Sequence, residues 1–279
     1  MGRIIAIANQ KGGVGKTTTV INLAACLAEK SKKVLVIDID PQGNTSSGLG
    51  IDKNNAENTI YELLIGEAEI HDCIIQHDIK NLSIIPANMN LAGAEIELIQ
   101  LENNNEILKN SLKAVDQEFD FVLMDCPPSL SVLTMNAMTA ANTIIVPLQC
   151  EYYALEGLTQ LMHTIELVQD RLNPELKIEG VLFTMCDVRT NLSIQVVENV
   201  QQTLKQRIYH TVIPRNVRLA EAPSHGLPIT LYDRSSSGAD AYRKFAEEVI
   251  AYPKIKAFKV DKNGKDAASI LSRIFSKSK

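Results

Sequence analysis

The sequence predicts an α/β fold with a doubly wound, mostly parallel sheet and helices on both faces. Short β-branched runs alternate with longer helical stretches, which is typical of right-handed βαβ units. Several of these runs are apolar throughout, as expected for parallel strands that are buried on both faces. The length of 279 residues favours one such domain with an appendage over two large domains.

The predicted strands are the short apolar runs: Ile4–Ala8, Val34–Ile37, Leu82–Ile85, Phe121–Met124, Thr143–Pro147, Ile178–Thr184 and Ile208–Val212. The predicted helices are the stretches with apolar residues at helical spacing: Thr17–Lys30, Val132–Ala141, Leu155–Leu172 and Ser193–Gln206. In a doubly wound sheet, ligands bind beyond the carboxyl ends of the strands. We therefore expect the functional residues to lie just after the predicted strands.

The C-terminal part of the chain is predicted to lie outside this domain, which covers residues 1–251. Residues 252–264 are rich in lysine and contain Pro253 and Gly264, so they are predicted to form a linker. Residues 265–279 are predicted to form a basic amphipathic helix, because their apolar residues share one helical face. These residues are Ala267, Ile270, Leu271, Ile274 and Phe275. We expect the apolar face of this helix to dock on the body or on a partner helix rather than on lipid. Its basic residues leave binding to anionic lipid or to DNA as alternatives.

Charge is distributed unevenly along the chain. The net charge is −5, but residues 1–179 hold 12 basic and 24 acidic residues, whereas residues 180–279 hold 16 and 9. The basic C-terminal third is compatible with an anionic partner, although ordinary solvated surfaces would show the same composition.

Composition excludes several other classes of protein. No run of about 18 apolar residues occurs, so no membrane span is predicted. The N-terminal stretch MGRIIAIANQKGG lacks the features of a signal peptide. The 5 cysteines are scattered without a CxxC pair, which favours reduced thiols in a cytoplasmic protein over a disulfide framework or a zinc site.

The strongest motif is a glycine-rich loop between a predicted strand and a predicted helix. Its residues, all expected to bind nucleotide, are Lys11, Gly12, Gly13, Val14, Gly15, Lys16, Thr17 and Thr18. The glycines let backbone N–H groups turn inward around phosphate oxygens, and the helix points its positive end at the same place. Lys16 is expected to reach the β- and γ-phosphates of ATP, and Thr17 to ligate Mg²⁺. The ordinary pattern GxxxxGK[ST] needs glycine at position 10, where this chain has Gln10, so the loop is a variant that carries an extra lysine, Lys11.

Two other interpretations of the loop fit the sequence less well. A chance glycine-rich turn is disfavoured by the strand–loop–helix context. A dinucleotide-binding turn would use Gly13-Val14-Gly15 and Asp38, but Thr18 stands where that fingerprint has its third glycine. A lysine–threonine pair in the turn suits a triphosphate with Mg²⁺ better.

Three aspartates follow predicted strands and complete the candidate site. Asp125 is expected to lie behind the groups that touch Mg²⁺, which is the Walker-B role. Asp38 and Asp40 emerge where the γ-phosphate would lie, with Asp38 as an alternative magnesium ligand. Paired aspartates at a strand end usually cap helices or form turns, but beside a phosphate loop a catalytic role is favoured.

The motifs together resemble the ParA/Soj family of chromosome- and plasmid-partitioning ATPases, within the deviant-Walker P-loop superfamily that also contains MinD. The matching stretches are KGGVGKTTT, VLVIDIDPQGNTSSGLG, FVLMDCPPSLSVLTMNAM, VPLQCEYYALEGL, RTNLSIQVVENV and IPRNVRLAEAPSHGLPI. They extend over about nine-tenths of the chain, to Ala251. The chain departs from the family at Cys126 and in the tail after Ala251.

The resemblance implies roles for several loop and strand-end residues. Lys11, for which the sequence indicates no partner in its own subunit, would cross a nucleotide-sandwich dimer to the other subunit's ATP. It joins Lys16 and Asp40 as a catalytic residue, and Asp40 would position the attacking water. The segment Pro214-Arg215-Asn216 resembles the one that contacts adenine.

The resemblance also implies partners. Arg189 and Arg218 match positions of non-specific DNA binding, and Lys205 and Arg207 add to the same basic surface. The implied function is an ATP-dependent dimerising switch in chromosome or plasmid partitioning, with a weak intrinsic ATPase that a ParB-type protein stimulates. The implied location is the nucleoid in the cytoplasm.

Two other functions within the superfamily remain as alternatives. A MinD-like, membrane-associated positioning ATPase would use an amphipathic C-terminal helix, which the tail partly imitates. An iron–sulfur reductase would need cluster cysteines near the site, and the spacing of Cys126 and Cys150 does not match that requirement.

Overall fold

The computed structural model describes residues 2–151, 154–186, 196–197, 200 and 208–252, with the backbone alone for 154–156. These residues form a seven-stranded sheet in the order β3-β4-β2-β5-β1-β6-β7. The strands are β1 Arg3–Ile7, β2 Val34–Asp38, β3 Ile75–Gln76, β4 Leu82–Ile85, β5 Phe121–Asp125, β6 Thr143–Gln149 and β7 Lys177–Thr184. All neighbouring strands are parallel except β3, which runs antiparallel to β4.

Helices cover both faces of the sheet, which confirms the predicted fold class. They are α1 Lys16–Glu29, α2 Asn44–Gly48, α3 Ile60–Ile65, α4 Ile70–Cys73, α5 Leu91–Ile99, α6 Ile107–Ser111, α7 Val132–Ala140, α8 Ala154–Arg171, α9 Val217–Glu221, α10 Ile229–Tyr232 and α11 Ser237–Ala251. Two 3₁₀ helices span Leu112–Val115 and Ala222–His225. One core contains side chains of α3 to α8, and the other contains side chains of α1 and α9 to α11.

The two cores explain the continuous apolar runs of the strands. Successive side chains of a strand point to opposite faces, so Ile4 and Ala6 of β1 lie in one core, whereas Ile5 and Ile7 lie in the other. A strand that is covered on both faces has no position left for a solvated side chain. The sequence pattern and the layered architecture therefore have one physical cause.

The register of the central strands brings the candidate site together. Strand β1 lies between β5 and β6, while the chain leaving β1 returns in β2 on the far side of β5. Asp125 at the end of β5 is paired with Ile7 on one side and with Asp38 on the other. The carboxyl ends of β1, β2 and β5 are therefore level, which places the loop after β1 beside both aspartates.

The predicted strand at Ile208–Val212 is wrong as a continuous strand. Ile208 makes an isolated parallel bridge to Val181, and the amide of Tyr209 donates to the Val181 carbonyl at 3.0 Å. The next bond joins the Ile213 amide to the Phe183 carbonyl at 2.8 Å. This segment advances four residues while β7 advances two, so the regular ladder is broken.

Glu248 of α11 gives the physical reason for that break. Its carboxylate accepts the backbone N–H groups of His210 and Thr211 at 2.8 and 2.7 Å. A side chain thus satisfies donors that a regular strand would pair with its neighbour. The sequence did not predict strand β3, because its two residues are too few to show a pattern.

Some predicted elements lie outside the described residues. They are the linker and tail at 253–279 and most of the predicted helix Ser193–Gln206, of which residues 196, 197 and 200 are helical. In the part of the chain that is described, no helix is both long and apolar enough to cross a bilayer.

Two glycines allow a close backbone contact between α2 and the 3₁₀ helix Ala222–His225. Gly50 and Gly226 have φ angles of 73° and 64°, in the left-handed region that favours glycine. A Cβ on Gly226 would lie 2.7 Å from the Gly50 Cα, and a Cβ on Gly50 would lie 3.0 Å from the Gly226 carbonyl oxygen. The two backbones therefore touch directly, with no side chain between them.

Candidate nucleotide-binding site

The glycine-rich loop adopts a conformation that suits anion binding. Gly13 and Gly15 have φ angles of 72° and 88°, and Gly15 directly precedes the first turn of α1. No side chain of the described residues caps this helix end, and no acidic residue lies in its first turn. A Cβ added to Gly12 or Gly13 would meet nothing within 4 Å, so the space in front of the loop is open. The N–H groups and the positive end of α1 are thus available to a phosphate group.

Side chains at the ends of β6 and β7 hold the loop in place. The Thr184 hydroxyl donates to the Val14 carbonyl at 2.8 Å, and the Gln149 amide donates to the Gly13 carbonyl at 2.9 Å. Bonds to the outer carbonyls leave the loop N–H groups free to point inward. Sequence reasoning missed both donors, whose only signal is a polar residue at the end of an apolar strand.

Asn9 completes this support at the start of the loop. Its amide donates to the Pro147 carbonyl at 2.7 Å, and its oxygen accepts the Lys11 N–H at 3.0 Å. Asn9 is 3% exposed, so it links the start of the loop to β6 from inside the protein. Sequence reasoning also missed this residue.

Lys16 places a positive charge inside the protein. It is 7% exposed, and its ammonium group donates to the Lys11 carbonyl at 3.2 Å. Burial lowers the pKa of Lys16, while the negative charges of Asp125 and Asp40 act in the opposite direction. A buried ammonium group that donates to a neutral carbonyl is stabilised when an anion binds beside it. This is the environment expected for a phosphate-binding lysine.

Asp125 joins α1 and α2 at the bottom of the site. One of its oxygens, Oδ2, accepts both the Thr17 and the Thr45 hydroxyl at 2.7 Å. The other oxygen, Oδ1, is buried without a hydrogen-bond partner among the described residues. Because the Thr17 hydroxyl donates its proton to Asp125, its lone pairs are free for a cation, and the unpartnered oxygen adds negative charge. These residues fit Mg²⁺. Thr45 was not predicted.

Asp38 is fully buried and has a positioning role in this structure. Its Oδ2 accepts the N–H and the hydroxyl of Ser46, both at 2.8 Å, and its Oδ1 accepts the Asp40 N–H at 3.3 Å. Burial and the neighbouring Asp125 raise the pKa of Asp38, and burial likewise raises the pKa of Asp125. Magnesium ligation by Asp38 stays a prediction, since both of its oxygens already accept hydrogen bonds.

Asp40 lies in a tight turn at the mouth of the site. Its Oδ1 accepts the Gln42 N–H at 3.0 Å, and its carbonyl accepts the Gly43 N–H at 2.8 Å. Gly43 has a φ of 59°, and a Cβ there would lie 2.4 Å from the Ala87 carbonyl oxygen. The backbone therefore fixes the Asp40 carboxylate beside the loop, where it is able to orient a water molecule.

Lys11 has a partner within its own chain, so the expectation that it has none was wrong. Its ammonium group lies 2.5 Å from Oε2 of Glu151, just beyond β6. The Lys11 and Glu151 side chains are 35% and 50% exposed. Such an exposed pair is weak, since water competes for both charges. Lys11 is therefore held loosely, and an anion of higher charge is able to displace Glu151.

The predicted adenine segment lies beside the end of β7. Pro214 makes a parallel bridge with Cys186, and the Arg215 N–H donates to the Cys186 carbonyl at 3.3 Å. Asn216 caps α9, because its side-chain oxygen accepts the Arg218 N–H at 2.8 Å. Contact with adenine stays a prediction for these three residues.

The predicted DNA-binding residues are only partly described. Arg189, Lys205 and Arg207 lie outside the described residues. Arg218 is described, and its guanidinium group lies 2.9 Å from Glu221 and 3.7 Å from Asp233. This is the surface ion pair that an ordinary solvated arginine would form.

The open glycine loop, the buried Lys16 and the hydroxyl–carboxylate cluster at Asp125 define a P-loop nucleotide-binding site with a variant loop. A family model described as "AAA domain" matches residues 2–178. The Soj protein of Bacillus subtilis, a sporulation initiation inhibitor, is 57% identical over 251 residues, which cover 90% of this chain and 99% of that protein. The chromosome partitioning protein ParA of Myxococcus xanthus is 50% identical over 250 residues, covering 90% of this chain and 88% of that protein.

A solved structure has the same fold as this chain. A protein from Mycobacterium smegmatis named cobyrinic acid a,c-diamide synthase, solved with ADP and magnesium, superimposes with a TM-score of 0.82. It is 39% identical and covers 93% of this chain and 100% of its own. This chain belongs to the ParA/Soj family of chromosome-partitioning ATPases.

Proposed function

We propose that this partitioning ATPase is a switch that dimerises on binding ATP and Mg²⁺, and that its dimer binds DNA without sequence preference. The observation that carries the proposal is the cluster in which Thr17 and Thr45 share one oxygen of Asp125. It joins the helix that follows the phosphate loop to the segment that carries Asp40. Nucleotide binding at Thr17 is thereby linked to the position of the residue proposed to act on water.

Hydrolysis is proposed to depend on positioning and on charge. Bound Mg²⁺ would offset negative charge on the β- and γ-phosphates. Lys16 binds the same phosphates, Thr17 offers its lone pairs to the cation, and Asp125 holds the Thr17 proton. Asp40 orients the attacking water. The partly exposed position of this carboxylate, in a turn at the mouth of the site, supports a weak intrinsic rate.

Dimerisation is proposed to use Lys11 and Gly12. Two facing nucleotides repel each other, and a lysine that crosses from each subunit offsets that repulsion. Lys11 would exchange its weak, exposed pair with Glu151 for phosphate oxygens of the facing subunit. The open space at Gly12 supports a close approach of the two loops.

DNA binding is proposed for the surface of Arg218, together with Arg189, Lys205 and Arg207. Residues 180–252 hold 8 basic and 7 acidic residues, so a single subunit offers little net attraction to DNA. A two-fold dimer doubles the number of phosphate contacts and raises affinity steeply. We further propose that a ParB-type protein stimulates hydrolysis and that the ATP-bound dimer is associated with the nucleoid in the cytoplasm.

The test is a mobility-shift experiment with two DNA fragments of unrelated sequence. Wild type should bind both fragments equally in ATP and Mg²⁺, bind neither in ADP, and lose affinity as salt is raised. Gly12→Val should retain ATP but lose DNA binding, because its bulk blocks pairing. The matched control is Gly93→Val on α5, far from the loop. DNA binding that is independent of ATP, or unchanged in Gly12→Val, would contradict the dimer switch.

The membrane-associated alternative is tested with the same protein. Sedimentation with anionic liposomes should show no ATP-dependent binding, with or without residues 253–279. ATP-dependent sedimentation that requires this tail would favour the MinD-like function instead.

A further inference from the structure

Two cysteine sulfurs lie against each other at the edge of the nucleotide site. The Sγ atoms of Cys150 and Cys186 are 2.7 Å apart, which is closer than an ordinary non-bonded contact between sulfurs. The two residues are 8% and 6% exposed. The thiols of Cys73 and Cys126 contact backbone carbonyls of their own segments, and the Cys186 thiol makes such a contact with Thr184 in addition to its contact with Cys150.

The backbone explains how the two sulfurs meet. Gln149 is paired with Thr184 in the last rung of the β6–β7 ladder. If both strands continued regularly, Cys150 and Cys186 would point to opposite faces of the sheet. Met185 breaks the alternation with a φ of 50°, in the left-handed region that is rare for a side chain other than glycine. The turn at Met185 brings the Cys186 side chain to the face that carries Cys150.

We propose that Cys150 and Cys186 form an oxidisable dithiol, a modification site whose oxidants are two-electron oxidants such as hydrogen peroxide. Each thiol gives up one hydrogen atom, and a bond forms between the two sulfurs. The O–O bond of the peroxide breaks, and two water molecules are released. A dithiol reductant reverses the step by returning two electrons and two protons.

The two sulfurs already have the closeness that this reaction needs. A disulfide bond is about 2.05 Å long, so the two sulfurs need to approach by less than an ångström. The hydrogen bond to Cys150 and burial raise the pKa of the Cys186 thiol. The thiolate is the reactive form, so oxidation should be slow at neutral pH and faster as the pH rises.

The bond would tie together two parts of the nucleotide site, an inference that rests on the proposed function. On one side, Cys150 lies between Gln149, which holds the phosphate loop, and Glu151, which holds Lys11. On the other side, Cys186 pairs through its backbone with the predicted adenine segment at Pro214. Oxidation therefore restrains the phosphate side relative to the adenine side.

The chemical test maps the bond in the full chain. Reduced protein is treated with hydrogen peroxide at neutral and alkaline pH, free thiols are alkylated, and peptides are identified by mass spectrometry. The expected product is a Cys150–Cys186 cross-link that forms faster at alkaline pH and disappears with dithiothreitol. Cys26→Ser, which changes a buried cysteine of α1, should still form it, whereas Cys150→Ser should not. Absence of this cross-link in wild type, or equal cross-linking of Cys26, Cys73 or Cys126, would overturn the proposal.

A second measurement tests the coupling to the nucleotide site. ATP affinity of oxidised wild type is expected to differ at least threefold from that of the reduced protein and to recover on reduction. Peroxide-treated Cys150→Ser is the control and should not change. A cross-link without any change in ATP affinity would overturn the coupling. Failure of the reduced protein to bind ATP would instead contradict the proposed function and leave the dithiol chemistry standing.

Discussion

The nucleotide pocket and the surface around Arg218 both carry charged side chains, but they hold them in opposite ways. In the pocket, Asp38, Asp125 and Lys16 are each at most 7% exposed, and backbone or hydroxyl groups hold them. At the surface, the Arg218 side chain is 56% exposed, and its partners are other exposed side chains. The charged side chains of the pocket are thus held in position before a ligand binds. The position of the Arg218 side chain at the surface is set by the partner that binds it.

This difference indicates which charged groups can contribute a large free energy to ligand binding. A buried charge without a full partner raises the free energy of the empty protein, and a ligand of opposite charge recovers that energy on binding. An exposed ion pair stores little energy, and exchanging it for a phosphate group costs about 0 to 1 kcal/mol. We therefore expect large effects from substitutions in the pocket and smaller effects at the surface.

The largest effect is expected for Lys16→Ala. Loss of a buried charge that meets the phosphates should cost about 3 kcal/mol, so ATP–Mg²⁺ affinity should fall more than about 100-fold. The empty protein loses a carbonyl contact of the lysine and its attraction to Asp125, which are small losses beside that of phosphate binding, so the fold should persist. Titration calorimetry and circular dichroism measure both properties. Lys30→Ala, at the C-terminal end of α1, removes a surface pair with Glu247 of α11 and is the control. Near wild-type ATP binding in Lys16→Ala would disprove the assignment of the loop.

Asp40→Ala should separate binding from hydrolysis. Without the carboxylate, water is no longer oriented, and the turnover rate should fall about 100-fold while ATP still binds. The ATP-bound dimer should accumulate, which light scattering detects as a doubled mass. Asp52→Ala, in the turn after α2, is the control. Normal turnover by Asp40→Ala would move the catalytic role elsewhere, with Asp38 as the next candidate.

Asp125→Asn should alter how the stability of ATP-free protein depends on pH. The raised pKa values mean that folded protein holds these protons more tightly than the unfolded chain does. The pair therefore destabilises the fold increasingly as pH rises above the ordinary aspartate value of 3.8. Asn at position 125 does not titrate, so the variant escapes this pH-dependent loss. The difference in unfolding free energy between Asp125→Asn and wild type should therefore shift by about 2 kcal/mol in favour of the variant as the pH rises from mildly acidic to neutral.

Urea denaturation at several pH values measures this gain. The matched control is Asp120→Asn, which changes an exposed carboxylate at the opposite end of β5. Curves for Asp125→Asn and wild type that stay parallel over the whole range would show that the buried pair carries no such cost.

Arg218→Glu tests the surface half of the comparison. The change should weaken ATP-dependent binding to two unrelated DNA fragments about 10-fold each and reduce the salt slope by about 1 per subunit. ATP hydrolysis without DNA should be unchanged. Lys33→Glu, at the amino end of the interior strand β2, is the control. Unchanged affinity in Arg218→Glu would remove this face from the DNA-binding surface and leave the basic tail as the remaining candidate.

The smallest effect is expected for Glu151→Gln. Removing the exposed pair frees Lys11 and should tighten ATP-dependent dimerisation by about threefold at low salt. The difference should vanish at high salt, where the pair is already screened. Sedimentation velocity over a concentration series measures it, and Glu166→Gln on α8 is the control. A loss of dimerisation in Glu151→Gln would show that Glu151 does more than retain Lys11.

The sequence predicted the parts of the site whose chemistry needs a particular residue in a continuous motif. The glycine loop, Lys16 and Thr17 belong to one such motif, and Asp125 follows a long apolar strand. Thr45, Gln149 and Thr184 could not be predicted, because only the strand register brings their side chains to the loop and to Asp125.

The fold shows the same limit. The strands buried in both cores were predicted from their apolar runs, to within one or two residues at each end. The segment after Arg207 has a similar apolar pattern, yet Glu248 on a distant helix satisfies its N–H groups and breaks the ladder. Local pattern cannot reveal a competing partner that lies about 40 residues further along the chain.

The contact between Gly50 and Gly226 has a mechanical consequence. Because neither position has room for a Cβ, no compressible layer of side chains separates α2 from the 3₁₀ helix that follows α9. Any displacement of Thr45 that accompanies a change at Asp125 must push or pull the neighbouring backbone with little loss of amplitude. The glycine pair is thus a stiff contact between the segment that follows the Thr45-bearing helix α2 and the 3₁₀ helix that directly follows α9, the helix that carries Arg218.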